Sequence, residues 1–270
     1  MFYAEGFKHT WQIMSWLKAI GLNAYEYGGG RGVKMRRETA ELIGDEARFN
    51  DIKMSLHAPY YINMVNTEKE RRSRNIEYFM DSFQTAKWMS ADRIIVHTGS
   101  CTGLDRQLAL QVTKDLMADI ILMADDRGYG SIAICPEVMG KMNQQGTLDE
   151  IIEICSIDER LLPCVDFGHV NARSQGGLIT KADFENIFND IENKLGNDRM
   201  RKIHMHFSRI EFTLGGEKMH WNYSDIKYGP NFEPLAEVLY EKNIHSRVIC
   251  ESKDDMAQDA LLFKQIYEKV

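Results

Sequence analysis

His57, His97, Glu137, Asp166, His169, His206, His220 and Glu251 are the residues whose types and spacing can do chemistry in this sequence. Imidazole nitrogen and carboxylate oxygen together suit zinc, with manganese or iron as competitors. His57, His97 and Glu137 follow one another at intervals of 40 residues, about one strand-plus-helix unit. The set holds more carboxylates and imidazoles than one ion needs, so it predicts a cluster of two or three metals. Taken singly, each residue is weak. A lone histidine after a strand is usually an ordinary core or surface residue, Glu137 alone is a helix cap, and Asp166 alone is a turn residue. Their recurrence at one strand end after another, with His220 following a loop, is what ordinary core or surface residues do not explain.

Those strand ends come from apolar, β-branched runs. The runs are Asn23–Tyr27, Ile52–His57, Arg93–His97, Ser131–Glu137, Leu161–Asp166, Lys202–Phe207 and Arg247–Glu251. Near-continuous runs of this kind predict parallel strands buried on both faces. Helical patterns separate them. Thr67-x-x-Glu70 predicts a capping box ahead of Ile76, Phe79, Met80 and Phe83, and Thr147-x-x-Glu150 another ahead of Ile151, Ile152 and Ile154. Leu104, Leu108, Val112, Leu116 and Ile120 form an i, i+4 stripe. The alternation predicts an α/β fold, a TIM-type (β/α) barrel of parallel strands, whose active site lies at the carboxyl ends of its strands. Only seven strands are visible. The chain opens almost directly into a helix from about Thr10 to Ile20, and Phe2-Tyr3 is too short for the first of the usual eight.

The bulk properties agree with one large domain over residues 1–270. The chain has 270 residues, 44% of them hydrophobic, enough to fill a sizeable core. A net charge of −7 gives no global basic footprint for nucleic acid, so only a local basic rim would serve one. The start MFYAEGFKHT lacks a basic-then-apolar leader. No apolar stretch approaches the roughly 20 residues that span a bilayer. Five scattered cysteines without a CxxC pair point to a reducing, cytoplasmic setting.

Six short segments, in order, carry a resemblance. SLHAPYYINM (Ser55–Met64) resembles the signature around the first metal histidine of endonuclease IV, the apurinic/apyrimidinic endonuclease family of the xylose isomerase-like TIM barrel superfamily. VHTGS (Val96–Ser100) is similar to that family's HPGS segment, with Thr98 in place of the proline. PEVMGK (Pro136–Lys141) resembles the segment of the bridging glutamate, and CVDFGHVNA (Cys164–Ala172) the D-x-x-H segment. MHFSR (Met205–Arg209) resembles MHLND, and CES (Cys250–Ser252) the final LET-type segment.

The resemblance implies a metal held by His57, His97 and Glu137, and a second held by Glu137, Asp166, His206 and Glu251. Both are expected to be zinc. A third would use His169 and a D-x-H pair. Here that pair reads Lys218-Met219-His220, and an ammonium cannot ligate a metal. Glu217 would serve only if the chain shifts, so the third site is expected to be weakened, empty, or replaced by a lysine that contacts phosphate. The implied reaction is hydrolysis of a phosphodiester in DNA, 5′ to an abasic site, leaving a 3′-hydroxyl. Glu137 would be the catalytic residue that steers the nucleophile. Tyr60 and Tyr61 match positions that press into the duplex at the lesion, and the extruded sugar would occupy a pocket.

Other features carry two readings. Gly28-Gly29-Gly30-Arg31-Gly32 brings backbone close to a phosphate, with Arg31 on DNA, or is a flexible loop. Cys135 and Cys164 stand two residues before ligands and are soft ligands or small interior residues. His204 is a spare interior polar residue or a partner of His206. Arg71, Arg72 and Arg74 are a solvated helix start or a DNA-facing rim. Two other functions compete with the nuclease. One is a sugar isomerase or epimerase holding a single ion on Glu137, Asp166, His206 and Glu251; the other is a non-catalytic barrel.

Overall fold

The computed structural model describes residues 2–30 and 32–270. They fall into two compact units, one up to Pro136 and one from Glu137 onward.

The first unit runs α1 (Ile13–Ile20), β1 (Ala24–Gly28), α2 (Arg37–Phe49), β2 (Lys53–His57), α3 (Lys69–Trp88), β3 (Arg93–Val96), α4 (Arg106–Asp126) and β4 (Ala133–Pro136). Its strands form one parallel sheet in the order β1-β2-β3-β4. The register runs from Ala24 opposite Lys53 to Gly28 opposite His57, and from Arg93 opposite Ala133 to Val96 opposite Pro136. The β2 residues Met54, Ser55 and Leu56 are all buried, as in a strand covered on both faces. Before α1 the described residues form only short 3-10 turns, Phe2–Glu5 and Thr10–Gln12.

The second unit runs α5 (Leu148–Cys155), β5 (Cys164–Asp166), α6 (Phe167–Arg173), α7 (Lys181–Leu195), α8 (Asn197–Met200), β6 (His204–Phe207), β7 (Arg209–Thr213), β8 (Gly216–Trp221), α9 (Glu233–Glu241), β9 (Val248–Cys250) and α10 (Met256–Tyr267). Strands β5, β6 and β9 form a parallel sheet in that order. Phe207 anchors the core beneath it. Its ring lies 5.0 Å from Phe232, 5.1 Å from Phe263 and 6.2 Å from Phe167.

All seven predicted runs become parallel strands. The antiparallel hairpin β7–β8 is an addition to them, and it places His220 on a strand instead of after a loop. The alternation of Arg209–Thr213 followed by Leu214-Gly215 is the turn signal that would have found it.

Two helix details differ from expectation. The Thr67 capping box does not form, because α3 starts at Lys69 with Glu68 as its N-cap. The Thr147 box does form: Glu150 N donates to Thr147 Oγ1, and Thr147 N donates to the Glu150 carboxylate. In α4, Leu108 is exposed, while Ala109, Thr113, Leu116, Met117 and Ile120 are buried. A strict i, i+4 stripe drifts around a helix of 3.6 residues per turn, so the buried face mixes steps of three and four.

Candidate metal centre

The second unit gathers six of the predicted residues. Glu137 follows directly on β4 and pairs with Cys164 through an isolated parallel bridge. Asp166 ends β5 and caps α6, where its Oδ1 accepts from His169 N at 2.7 Å. Three residues on from that cap, the His169 ring returns to the same side of the helix as the carboxylate. His206 lies on β6 directly opposite Asp166. Glu251 follows β9, and its N–H donates to Phe207 O.

The side chains converge. His206 Nδ1 lies 3.3 Å from both Glu137 Oε1 and Glu251 Oε1. His169 Nδ1 donates to Val138 O at 2.9 Å and lies 3.4 Å from Glu137 Oε1. Glu137, Asp166 and His206 are fully buried. Ligand atoms of Glu137, Asp166, His206 and Glu251 all lie within 4.8 Å of one another, and so do those of Asp166, His169 and His220.

This donor set fits divalent cations. Buried carboxylates are costly without positive charge nearby. Asp166 Oδ2 is buried and accepts no hydrogen bond. Burial pushes His169 toward losing its proton, yet the carboxylates of Asp166, Glu137 and Glu217 outweigh it and hold its pKa well above the ordinary range. The site therefore draws positive charge, whether as a proton on His169 or as a metal ion that replaces it. Burial pushes His220 the other way, below its ordinary value, and the charge on His169 adds to that while nearby carboxylates oppose it.

His220 is set by its neighbours on the hairpin. Its Nδ1 is 2.7 Å from Ser208 Oγ, leaving Nε2 to face the Glu217 carboxylate at 4.0 Å. Glu217 Oε2 also lies 3.4 Å from His169 Nε2. Lys218 turns elsewhere, into an ion pair with Glu211 at 2.6 Å.

Sequence reasoning misses Arg173. From α6 it donates to the carbonyls of Met139, Lys141, Met142 and Gln144, and so shapes the loop after Glu137. Nothing in its spacing marks that role; only the folded loop does. Cys164, His204 and His206 also bring ligand atoms within 4.8 Å of one another, and Cys164 and His204 are fully buried.

In the first unit, the rings of His57 and His97 meet edge to face at 4.9 Å. His57 Nδ1 donates to Ala58 O at 2.8 Å. The glycine segment is anchored here: Gly29 N donates to His57 O at 2.8 Å. A Cβ at Gly29 would stand 2.6 Å from that same oxygen, so close backbone approach, not looseness, requires glycine there. Arg31 lies outside the described residues. Tyr60 and Tyr61 are 57% and 40% exposed and meet edge to face at the surface. Arg71 pairs with Glu68 and Arg72 with Asp119, as in a solvated helix start. No described helix is long and apolar enough to cross a membrane.

A family model described as xylose isomerase-like TIM barrel matches residues 14–266. An uncharacterized protein of Methanocaldococcus jannaschii is 28% identical over 256 residues, covering 94% of this chain and 90% of that one. A probable endonuclease 4 of Staphylococcus carnosus is 26% identical over 220 residues, covering 77% of this chain and 70% of its own length. Among solved structures, a D-tagatose 3-epimerase-like protein superposes with a TM-score of 0.71 at 19% identity, covering 92% of this chain and 88% of that one. Endonuclease IV of Thermus thermophilus does so with a TM-score of 0.69 at 16% identity, covering 96% and 94%. At those identities the structures speak to fold alone.

Proposed function

The chain belongs to the xylose isomerase-like TIM barrel family, and from that premise we propose that it is a metal-dependent phosphodiesterase that incises DNA 5′ to abasic sites. The observation that carries the reading is the pair of overlapping ligand clusters that share Asp166. One cluster suffices for a single-ion isomerase; the second, built on His169 and His220, is surplus to that chemistry.

In this reading Glu137, Asp166, His206 and Glu251 hold one ion, and His57 and His97 serve another, as the resemblance implies. Zinc is the proposed metal, with manganese or iron as alternatives. When bound, the ions supply Lewis acidity and bring the pKa of a water toward neutrality. Glu137, within 3.4 Å of His169 and 3.3 Å of His206, would orient the attacking water. Ser208 fixes the ring of His220, and Arg173 keeps the loop after Glu137 in shape. Tyr60, Tyr61 and Arg31 are assigned to DNA. A cytoplasmic location follows from a DNA-repair role and is part of the proposal.

The test is a duplex carrying one abasic site. Incision that leaves a 3′-hydroxyl, disappears in chelator and returns with zinc or manganese is expected. An intact duplex in the presence of fully metal-loaded protein sinks the reading. One finding favours a second reading: Glu137, Asp166, His206 and Glu251 also form the quartet of a one-ion sugar isomerase or epimerase. Conversion of a ketohexose to its epimer by protein carrying a single ion would select it.

A further inference from the structure

We infer that Glu217 is a metal ligand of the site built on His169 and His220, carried into place by a β-bulge at Lys218. The inference deepens the proposed metal centre and rests on it.

In a regular strand Glu217 and His220, three residues apart, point to opposite faces. The hairpin breaks that alternation. Glu211 pairs with Met219 and Phe212 with Glu217, so Lys218 has no residue opposite it. One extra residue in one strand is a bulge, and a bulge re-aims the side chains around it. Glu217 and His220 thereby come to one side, with the carboxylate 3.4 Å from His169 Nε2 and 4.0 Å from His220 Nε2. The extra residue goes outward: the Lys218 side chain is 54% exposed, against 17% for Glu217.

The neighbouring loop is built to admit this carboxylate. A Cβ at Gly140 would stand 2.6 Å from Glu217 Cβ, 2.9 Å from His169 Cδ2 and 3.0 Å from Glu217 Oε2. Glycine at 140 therefore leaves the room that Glu217 and His169 fill. The hairpin is also tied to that loop, since Glu217 N donates to Gly140 O at 3.1 Å. Gly216, at φ +90, allows the approach, because a Cβ there would meet Gly140 O at 2.2 Å. The loss of a carboxylate at position 218 is thus answered by one supplied from the preceding residue.

The experiment measures bound metal, not catalysis. Purified full chain is loaded with Zn2+ and with Co2+, and metal per chain is determined for wild type, Glu217→Gln, Lys218→Ala and Glu251→Gln. Glu217→Gln is expected to lose one ion relative to wild type, while Lys218→Ala keeps the full complement. Glu251→Gln is expected to lose a different ion, so the double variant with Glu217→Gln loses both. A full complement in Glu217→Gln overturns the assignment. Should Glu217→Gln fail to melt cooperatively, Glu217→His keeps a donor at the position. It is expected to hold Co2+ with a changed absorption spectrum, and a spectrum identical to wild type overturns the assignment. A chain that loses the ion in Glu217→Gln yet never cuts abasic DNA keeps this assignment and removes the nuclease reading. One that cuts abasic DNA while Glu217→Gln keeps every ion does the reverse.

Discussion

Glu217 Oε2 lies 3.4 Å from His169 Nε2, although the two residues come from a hairpin and a helix 48 positions apart in the chain. Gly140 is the third partner of that meeting. Gly140→Ala is expected to force Glu217 and His169 apart or to strain the loop. A cost of about 1–3 kcal/mol is typical of overpacking. Chemical denaturation checks the stability, and metal titration checks the site. Unchanged affinity and stability together would mean that the loop yields freely.

Ser208 holds His220 through the 2.7 Å contact at Nδ1. Losing such an orienting partner typically costs about 10- to 100-fold in metal affinity. Ser208→Ala is expected to weaken the ion bound near His220 by that order, with little change in the ion held by Glu251. A competition titration with a chromophoric chelator resolves the two. Equal weakening of both ions would point to a general loosening of β6 instead.

Thr147 and Glu150 form a reciprocal cap at the start of α5. Thr147→Ala is expected to lower stability by about 1 kcal/mol, the usual worth of an N-cap hydroxyl. Because Glu150 also accepts from Gly146 N at 2.8 Å, Glu150→Ala is expected to cost at least as much. Urea denaturation of both variants measures this.

Tyr223 gives the chain an alkaline limit. Burial raises its pKa from the ordinary 10.0 to about 12, with Glu233 adding to the effect and the Phe232 N–H opposing it. The folded chain therefore holds this proton more tightly than the unfolded chain. The contribution to stability is complete below pH 10.0 and is lost as pH rises through about 12. Burial raises Cys250 to about 12 as well, with loss in the same direction. Tyr223→Phe is expected to flatten part of the alkaline decline. It also leaves the buried Phe232 N–H without the acceptor it now has at 2.8 Å, a cost of about 1–3 kcal/mol at neutral pH. Melting curves from neutral to alkaline pH test both effects, and parallel curves for variant and wild type would rule out the titration.

Seven parallel strands were legible because each is a short, largely apolar run, most of them closed by a polar residue, and that pattern is local. The positions of Asp166, His206 and Glu251 followed from the same cue, and that of His169 from its place three residues after Asp166. Strand ends of one parallel sheet share an edge, so residues placed there in sequence are brought together by any fold of this class. Orientation was not legible. The bulge at Lys218 depends on which residue of β7 faces which residue of β8, and a shift of one position reverses every side chain. Whether 217 or 218 met His169 was therefore decided by hairpin register and by the space left at Gly140. The first tightly packed glycine, Gly29, tells the same story from the other unit. Its place after β1 was visible, but the reason for it, a backbone oxygen at His57, belongs to a strand 28 residues away. Residue type and period determine the elements and their ends; contacts between distant segments determine which atoms meet there.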